Sequence, residues 1–192
     1  IYILPNKWNI NWPSKSVNVS FVGKYVDLKD AYFSLTEALD HAGINNDTKV
    51  NINFVNSDEL NNKNYSSKLK KSDAILVPGG FGGRGIEGMI LAAKYAREKK
   101  VPYFGICLGL QIAIIEIARN LCGLKDANST EFKPRTKHKV ISLITEWKNE
   151  DGSIEKRDKN SDKGGTMRLG AQKAKLKKNS LANKLYKKTN IS

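Results

Sequence analysis

Tyr103-Phe104-Gly105-Ile106-Cys107-Leu108-Gly109-Leu110-Gln111 is the stretch on which the reading of this chain turns. An apolar run from Val101 to Ile106 stops at a cysteine, and a strongly helical segment begins at once. A strand that turns straight into a helix lifts the turn residue above the sheet edge. It also sets the helix's unpaired N–H groups and positive dipole end beside that residue. Glycines two positions to either side, Gly105 and Gly109, let the backbone turn without Cβ clashes. The same geometry built on serine is the nucleophile elbow of hydrolases. On cysteine it favours the thiolate, which is the reactive form. The alternative is a packing cysteine, since free cysteines are commonly buried. The paired glycines and the strand-to-helix switch favour the nucleophile.

Outward from this stretch, strand and helix patterns alternate. Val17 to Val22 and Val50 to Val55 read as strands, Ala74 to Val77 as a short apolar strand, and Val101 to Ile106 as the strand that delivers Cys107. Between them, Asp30 to His41 places Ala31, Leu35, Ala38, Leu39 and Ala42 on one helical face, closed by Gly43. Ser57 to Lys70 is weakly helical, and Ile86 to Lys99 carries Ile86, Met89, Ile90 and Ala93 at helical spacing. Leu108 to Leu121 is apolar nearly all round, as for a helix buried against a sheet. Val140 to Ile144 is a further strand candidate, residues 149–165 suit a hairpin or exposed loop, and Ser180 to Lys187 is helix-like. Apolar strands alternating with amphipathic helices predict an α/β fold: a doubly wound, mostly parallel open sheet flanked by helices. The active site of such a sheet lies beyond the carboxyl ends of its strands. Two loops there carry chemistry, Pro78 to Gly85 and Gly105 to Gly109.

Gly80-Phe81-Gly82-Gly83-Arg84-Gly85 fits G-x-G-x-x-G between a strand and a helix, a pattern found in dinucleotide sites. In such sites the next strand ends in an acid that holds the ribose, whereas here it ends in Cys107. The loop reads better as an oxyanion hole, with the Gly80 and Leu108 amides as donors to the oxygen of a tetrahedral intermediate. A cysteine acting on an amide also needs a base, usually a histidine oriented by a carboxylate. The two histidines fit poorly. His41 reads as a helix-terminus residue, and His138 sits in the basic run Lys133 to Lys139 without a neighbouring acid.

Composition bounds the partners. The chain has 192 residues and a formal net charge of +14. Lysine far outnumbers arginine, and asparagine is abundant in the same stretches, a pattern that A-rich codons produce without a basic-surface function. The arginine forks and interleaved aromatics of a nucleic-acid reader are scarce. No apolar run approaches the ~20 residues needed to span a bilayer, and the two cysteines, Cys107 and Cys122, form no disulfide framework. The expectation is a cytoplasmic protein that binds neither nucleic acid nor membrane, holds no metal, and uses Cys122 for packing. Ile1 in place of Met, and a stop at Ser192 just after a helical pattern, suggest a segment of something longer.

The pair Pro78-Gly79-Gly80-Phe81-Gly82 and Gly105 to Gln111 resembles class I (triad) glutamine amidotransferase domains. Further blocks narrow the likeness to the glutaminase half of the CTP synthase family. They are Val22-Gly23-Lys24-Tyr25, Asp30-Ala31-Tyr32, Phe81-Gly82-x-Arg84-Gly85-x-Glu87-Gly88, Ala127 to Phe132, Ile144-Thr145-Glu146-Trp147 and Gly164 to Gly170. The resemblance runs from about Val19 to Leu185. It implies residues 1–16 as an interdomain linker remnant and 17–192 as a glutaminase domain incomplete at its C-terminus.

The resemblance also implies chemistry. Cys107 would attack the side-chain amide of L-glutamine, with Gly80 and Leu108 as oxyanion donors. Gly80, Leu108, Gly109, Leu110, Gln111 and Glu131 would bind glutamine, Glu131 at its α-amino group. Ammonia would pass to a separate synthetase domain that aminates UTP to CTP with Mg2+ and ATP. GTP would act as allosteric activator, the segment itself would need no cofactor, and the full-length protein would be a homotetramer. The family's His-Pro-Glu block, which supplies base and orienting acid, lies beyond Ser192, so the 192 residues alone are expected to be inactive. Two other classes stay open: a non-catalytic, nucleotide-responsive remnant, and a different cysteine hydrolase on the same sheet. The roles of Arg168 and of Thr166 to Gly170 stay unassigned.

Overall fold

The computed structural model describes residues 13, 15–26, 29–142, 146–148, 153–156 and 173–192. They fall in two compact units, Ile1–Leu143 and Ile144–Ser192. In the first, the order is β1 (Lys15–Gly23), a 3-10 turn (Lys29–Tyr32), α1 (Phe33–Asn45), β2 (Thr48–Asn56) and a second 3-10 turn (Ser57–Glu59). Then come α2 (Tyr65–Leu69), β3 (Ala74–Val77), α3 (Ile86–Lys99), β4 (Tyr103–Gly105), α4 (Leu108–Asn120), β5 (Ala127–Ser129) and β6 (His138–Ile141). The first four strands form one sheet in the order β2-β1-β3-β4. Every pairing in it is parallel. From β1 the path goes outward to β2, then crosses back to β3. That reversal is the topological switch of a doubly wound sheet, and it lies between β1 and β3.

Alternation along the strands builds both layers. Val22, Ile75 and Val77 pack with Met89, Ile90 and Ala93 of α3 and with Leu108, Ile112 and Ile115 of α4. Val19, Phe21 and Leu76 belong to the opposite layer, with Tyr32, Leu35 and Leu39. Helices α3 and α4 are also bridged by Arg97, whose Nη2 lies 2.8 Å from the Oε1 of buried Glu116.

Several sequence expectations shift. Residues 29–32 form a 3-10 turn, which changes the phase of the following helix. Tyr32 therefore packs on Phe21, ring centroids 4.8 Å apart, while Ala31, Ala38 and Ala42 are exposed. Gly43 lies inside α1, which continues to Asn45. Helix α4 is buried along one side only, with Leu110, Ile114 and Ile117 exposed. It follows β4, the edge strand of the sheet among the described residues, so apolar layers do not enclose it on both sides. Cys122 is exposed just past that helix, and not packed as expected.

In the second unit, β7 (Glu146–Lys148) pairs antiparallel with β8 (Ile154–Lys156). Strands β9 (Ala174–Lys175) and β10 (Asn190–Ile191) pair across α5 (Leu181–Tyr186), which is N-capped by the Ser180 hydroxyl. Arg168 and the Thr166 to Gly170 block lie outside the described residues. So does most of 1–16, and Lys15 and Ser16 already belong to β1. Among the described residues, no helix is long and apolar enough to cross a membrane.

Candidate active site

Cys107 sits at the junction of β4 and α4 with φ 51° and ψ −101°. A residue with a Cβ is strained there by about 1–3 kcal/mol, so the surroundings must hold it. They do so through close backbone packing. A Cβ on Gly105 would fall 2.4 Å from the Gly109 carbonyl carbon, and one on Gly109 would fall 2.1 Å from the Val77 carbonyl oxygen. The Ile106 amide donates to the Val77 carbonyl at 3.0 Å, and the Gly109 amide to Ile106 at 2.9 Å. Half-buried Tyr103 adds a latch, its hydroxyl donating to the Gly109 carbonyl at 2.8 Å. Burial pushes the Tyr103 phenol up, and the Glu116 charge pushes it further, so the latch stays protonated. Cys107 itself is exposed.

The glycine loop after β3 comes up against this turn. A Cβ on Gly79 would be 3.6 Å from the Cys107 Cβ, and one on Gly80 would be 3.3 Å from the Leu108 Cδ2. Among the described residues neither the Gly80 nor the Leu108 amide donates a hydrogen bond. Two unpaired N–H groups thus accompany a thiol at the positive end of a helix. Such an arrangement can stabilise an oxygen that gains negative charge as sulfur attacks its carbon.

Glu131 joins the same cluster from the segment after β5. Its Oε1 accepts the Gly82 amide hydrogen at 2.8 Å, and its own amide donates to the Ser129 Oγ at 3.2 Å. The segment is clamped at its base by Asp126, whose carboxylate accepts from the Lys133 ammonium and from the Lys137 amide. These contacts hold the Asp126 carboxyl down to about 2. Gly109 is buried in the turn, the Gln111 amide donates to the Cys107 carbonyl at 3.3 Å, and the Leu110 side chain is exposed.

One residue of this cluster carried no chemical role on sequence grounds. Lys24 directly follows β1 at the switch point and is 3 % exposed. Its ammonium donates to the Phe81 carbonyl at 2.9 Å and to the Gly82 carbonyl. Burial lowers its basicity, Glu131 and Asp58 act the other way, and Arg84 adds to the lowering. Arg84 in turn donates to the Lys24 carbonyl at 2.7 Å, lies 3.5 Å from the Asp58 carboxylate, and covers the Tyr25 ring. The signal was the position of a lysine immediately after a central strand.

The histidines stay apart from this chemistry. His41 is exposed on α1 and His138 half-buried in β6. Among the described residues, neither they nor any carboxylate hydrogen-bonds the Cys107 sulfur. No group of three or more His, Cys, Asp or Glu among those residues is placed to hold a metal.

Residues 27–191 match the family model described as glutamine amidotransferase class-I. Among solved structures, the chain is similar to the glutaminase domain of Trypanosoma brucei CTPS with bound acivicin, at 37% identity and a TM-score of 0.75. That match covers 91% of this chain and 64% of the trypanosome chain, so the 192 residues span less than two thirds of it.

Proposed function

This chain belongs to the class I glutamine amidotransferase family, and from that premise we propose that it is the glutaminase part of a CTP synthase. In this reading the Cys107 sulfur attacks the side-chain amide carbon of L-glutamine. The S–C bond forms, the C–N bond breaks, and the nitrogen leaves as ammonia after taking up a proton. Water then cleaves the glutamyl thioester to glutamate and restores the thiol. Gly80 and Leu108 bind the transient oxyanion. Glu131 holds the substrate's α-ammonium, which separates free glutamine from a peptide-bound residue. In the whole protein the ammonia aminates UTP to CTP with ATP and Mg2+, with GTP as activator. The observation that carries this reading is the exposed Cys107 at φ 51°, with Gly79 against its Cβ and, one residue on, the Gly80 amide, which is unpaired among the described residues.

The proton needs a carrier, and among the described residues neither histidine makes the hydrogen bond to Cys107 that would let it serve. We therefore propose that residues 1–192 bind glutamine but turn it over slowly. The test is protection of Cys107 against iodoacetamide. Free glutamine protects saturably, whereas glutamate and an α-amino-blocked glutamine peptide do not. Equal alkylation at every glutamine concentration would contradict the reading. Fast, Cys107-dependent ammonia release would contradict the slow-turnover part alone.

A further inference from the structure

We propose that Lys24 is a positioning residue that sets the direction of the glycine loop and, through it, the Gly80 amide; the inference rests on the glutaminase reading. Loops are ordinarily fixed by side-chain packing, and this one has little. A Cβ on Gly82 or Gly83 would meet nothing within 4 Å, and Phe81 is 60% exposed. Polar contacts hold it instead. The Lys24 ammonium binds the carbonyls of Phe81 and Gly82, while Glu131 takes the Gly82 amide. Both peptide groups around Gly82 are thereby fixed, two residues from Gly80.

Burying an ammonium costs free energy that an aliphatic side chain would avoid. The location explains why a charge is used. Lys24 follows β1 and Gly80 follows β3, the two strands that flank the switch point. The lysine stem, almost wholly buried, reaches from one strand end to the loop of the next. Arg84 holds the Lys24 carbonyl from the far end of the same loop, so the clamp closes on itself. The Lys24 charge also faces Glu131, which ties the loop to the carboxylate proposed to receive the α-ammonium.

The experiment compares Lys24→Met and Lys24→Arg with the unaltered chain by amide hydrogen exchange, acivicin labelling and iodoacetamide labelling of Cys107. In Lys24→Met, Gly82 protection falls and saturable acivicin labelling slows by about 10- to 100-fold, as expected for a misplaced donor. Iodoacetamide alkylation and the protection of α3 stay unchanged, and Lys24→Arg recovers part of the acivicin rate. Unchanged Gly82 protection and acivicin rate in Lys24→Met would overturn the inference. So would a loss shared equally by iodoacetamide reactivity and α3 protection, which marks a merely structural lysine. If the unaltered chain shows no saturable acivicin labelling, the glutaminase reading fails, and with it the catalytic half of this inference. Gly82 exchange still decides the clamp.

Discussion

The Gly82 amide donates to the Glu131 carboxylate at 2.8 Å, joining two loops 49 residues apart in sequence. One loop follows β3 and holds the proposed oxyanion donor; the other follows β5 and holds the proposed ammonium receptor. The contact uses one carboxylate oxygen, and among the described residues the other accepts no hydrogen bond. In the proposed function, this hydrogen bond links substrate recognition to charge stabilisation.

Changing Glu131 separates these roles. Glu131→Gln keeps an acceptor for Gly82 but loses the negative charge. It should weaken glutamine protection of Cys107 by about 10- to 100-fold, the range for a lost charge-assisted hydrogen bond. Gly82 should keep its exchange protection. Glu131→Ala should lose both. Protection constants and hydrogen exchange measured on the two variants check this, and equal glutamine affinity in Glu131→Gln would contradict it.

The turn glycines differ from the loop glycines. Gly109→Ala would drive a methyl to 2.1 Å from the Val77 carbonyl oxygen, so the elbow must shift. Overpacking of this kind should cost about 3 kcal/mol in urea unfolding and slow Cys107 alkylation. Gly83→Ala meets nothing within 4 Å and should change stability by less than about 0.5 kcal/mol.

Asp126 supplies the pH dependence. Its carboxyl is held at about 2 in the fold, by the Lys133 side chain first and the Lys137 amide second, against an ordinary value of 3.8. A carboxylate depressed on folding contributes its full stability above the unfolded value and loses it as pH falls through the folded one. The difference in urea midpoint between the unaltered chain and Asp126→Asn should be constant from neutral pH down to about 5, then shrink toward pH 2. A difference that grows on acidification would contradict the assignment.

Much of this was legible in sequence because the signals were local. The glycines around Cys107 and the apolar runs of β1, β3 and β4 specify strand, turn and helix within a few residues, and the parallel sheet follows from their alternation. What was not legible depended on distant partners. The 3-10 turn that rotates α1 answers to Phe21 on β1, a partner of Tyr32 outside the helical segment. The exposed side of α4 reflects the position of β4, at the sheet edge among the described residues, which periodicity cannot reveal. Lys24 stood in the sequence only as part of the Val22 to Tyr25 block, with no chemical role, and its depth and its two carbonyl partners supply that role.

The central claim is that Cys107 is a nucleophile set in a glutamine site. The most direct measurement is intact-mass and peptide mapping of the acivicin adduct, with Cys122, also exposed, as the internal control. The account predicts one adduct, on Cys107, whose formation saturates with acivicin and is slowed by glutamine. Non-saturating modification of Cys107 and Cys122 at similar rates, indifferent to glutamine, would contradict it.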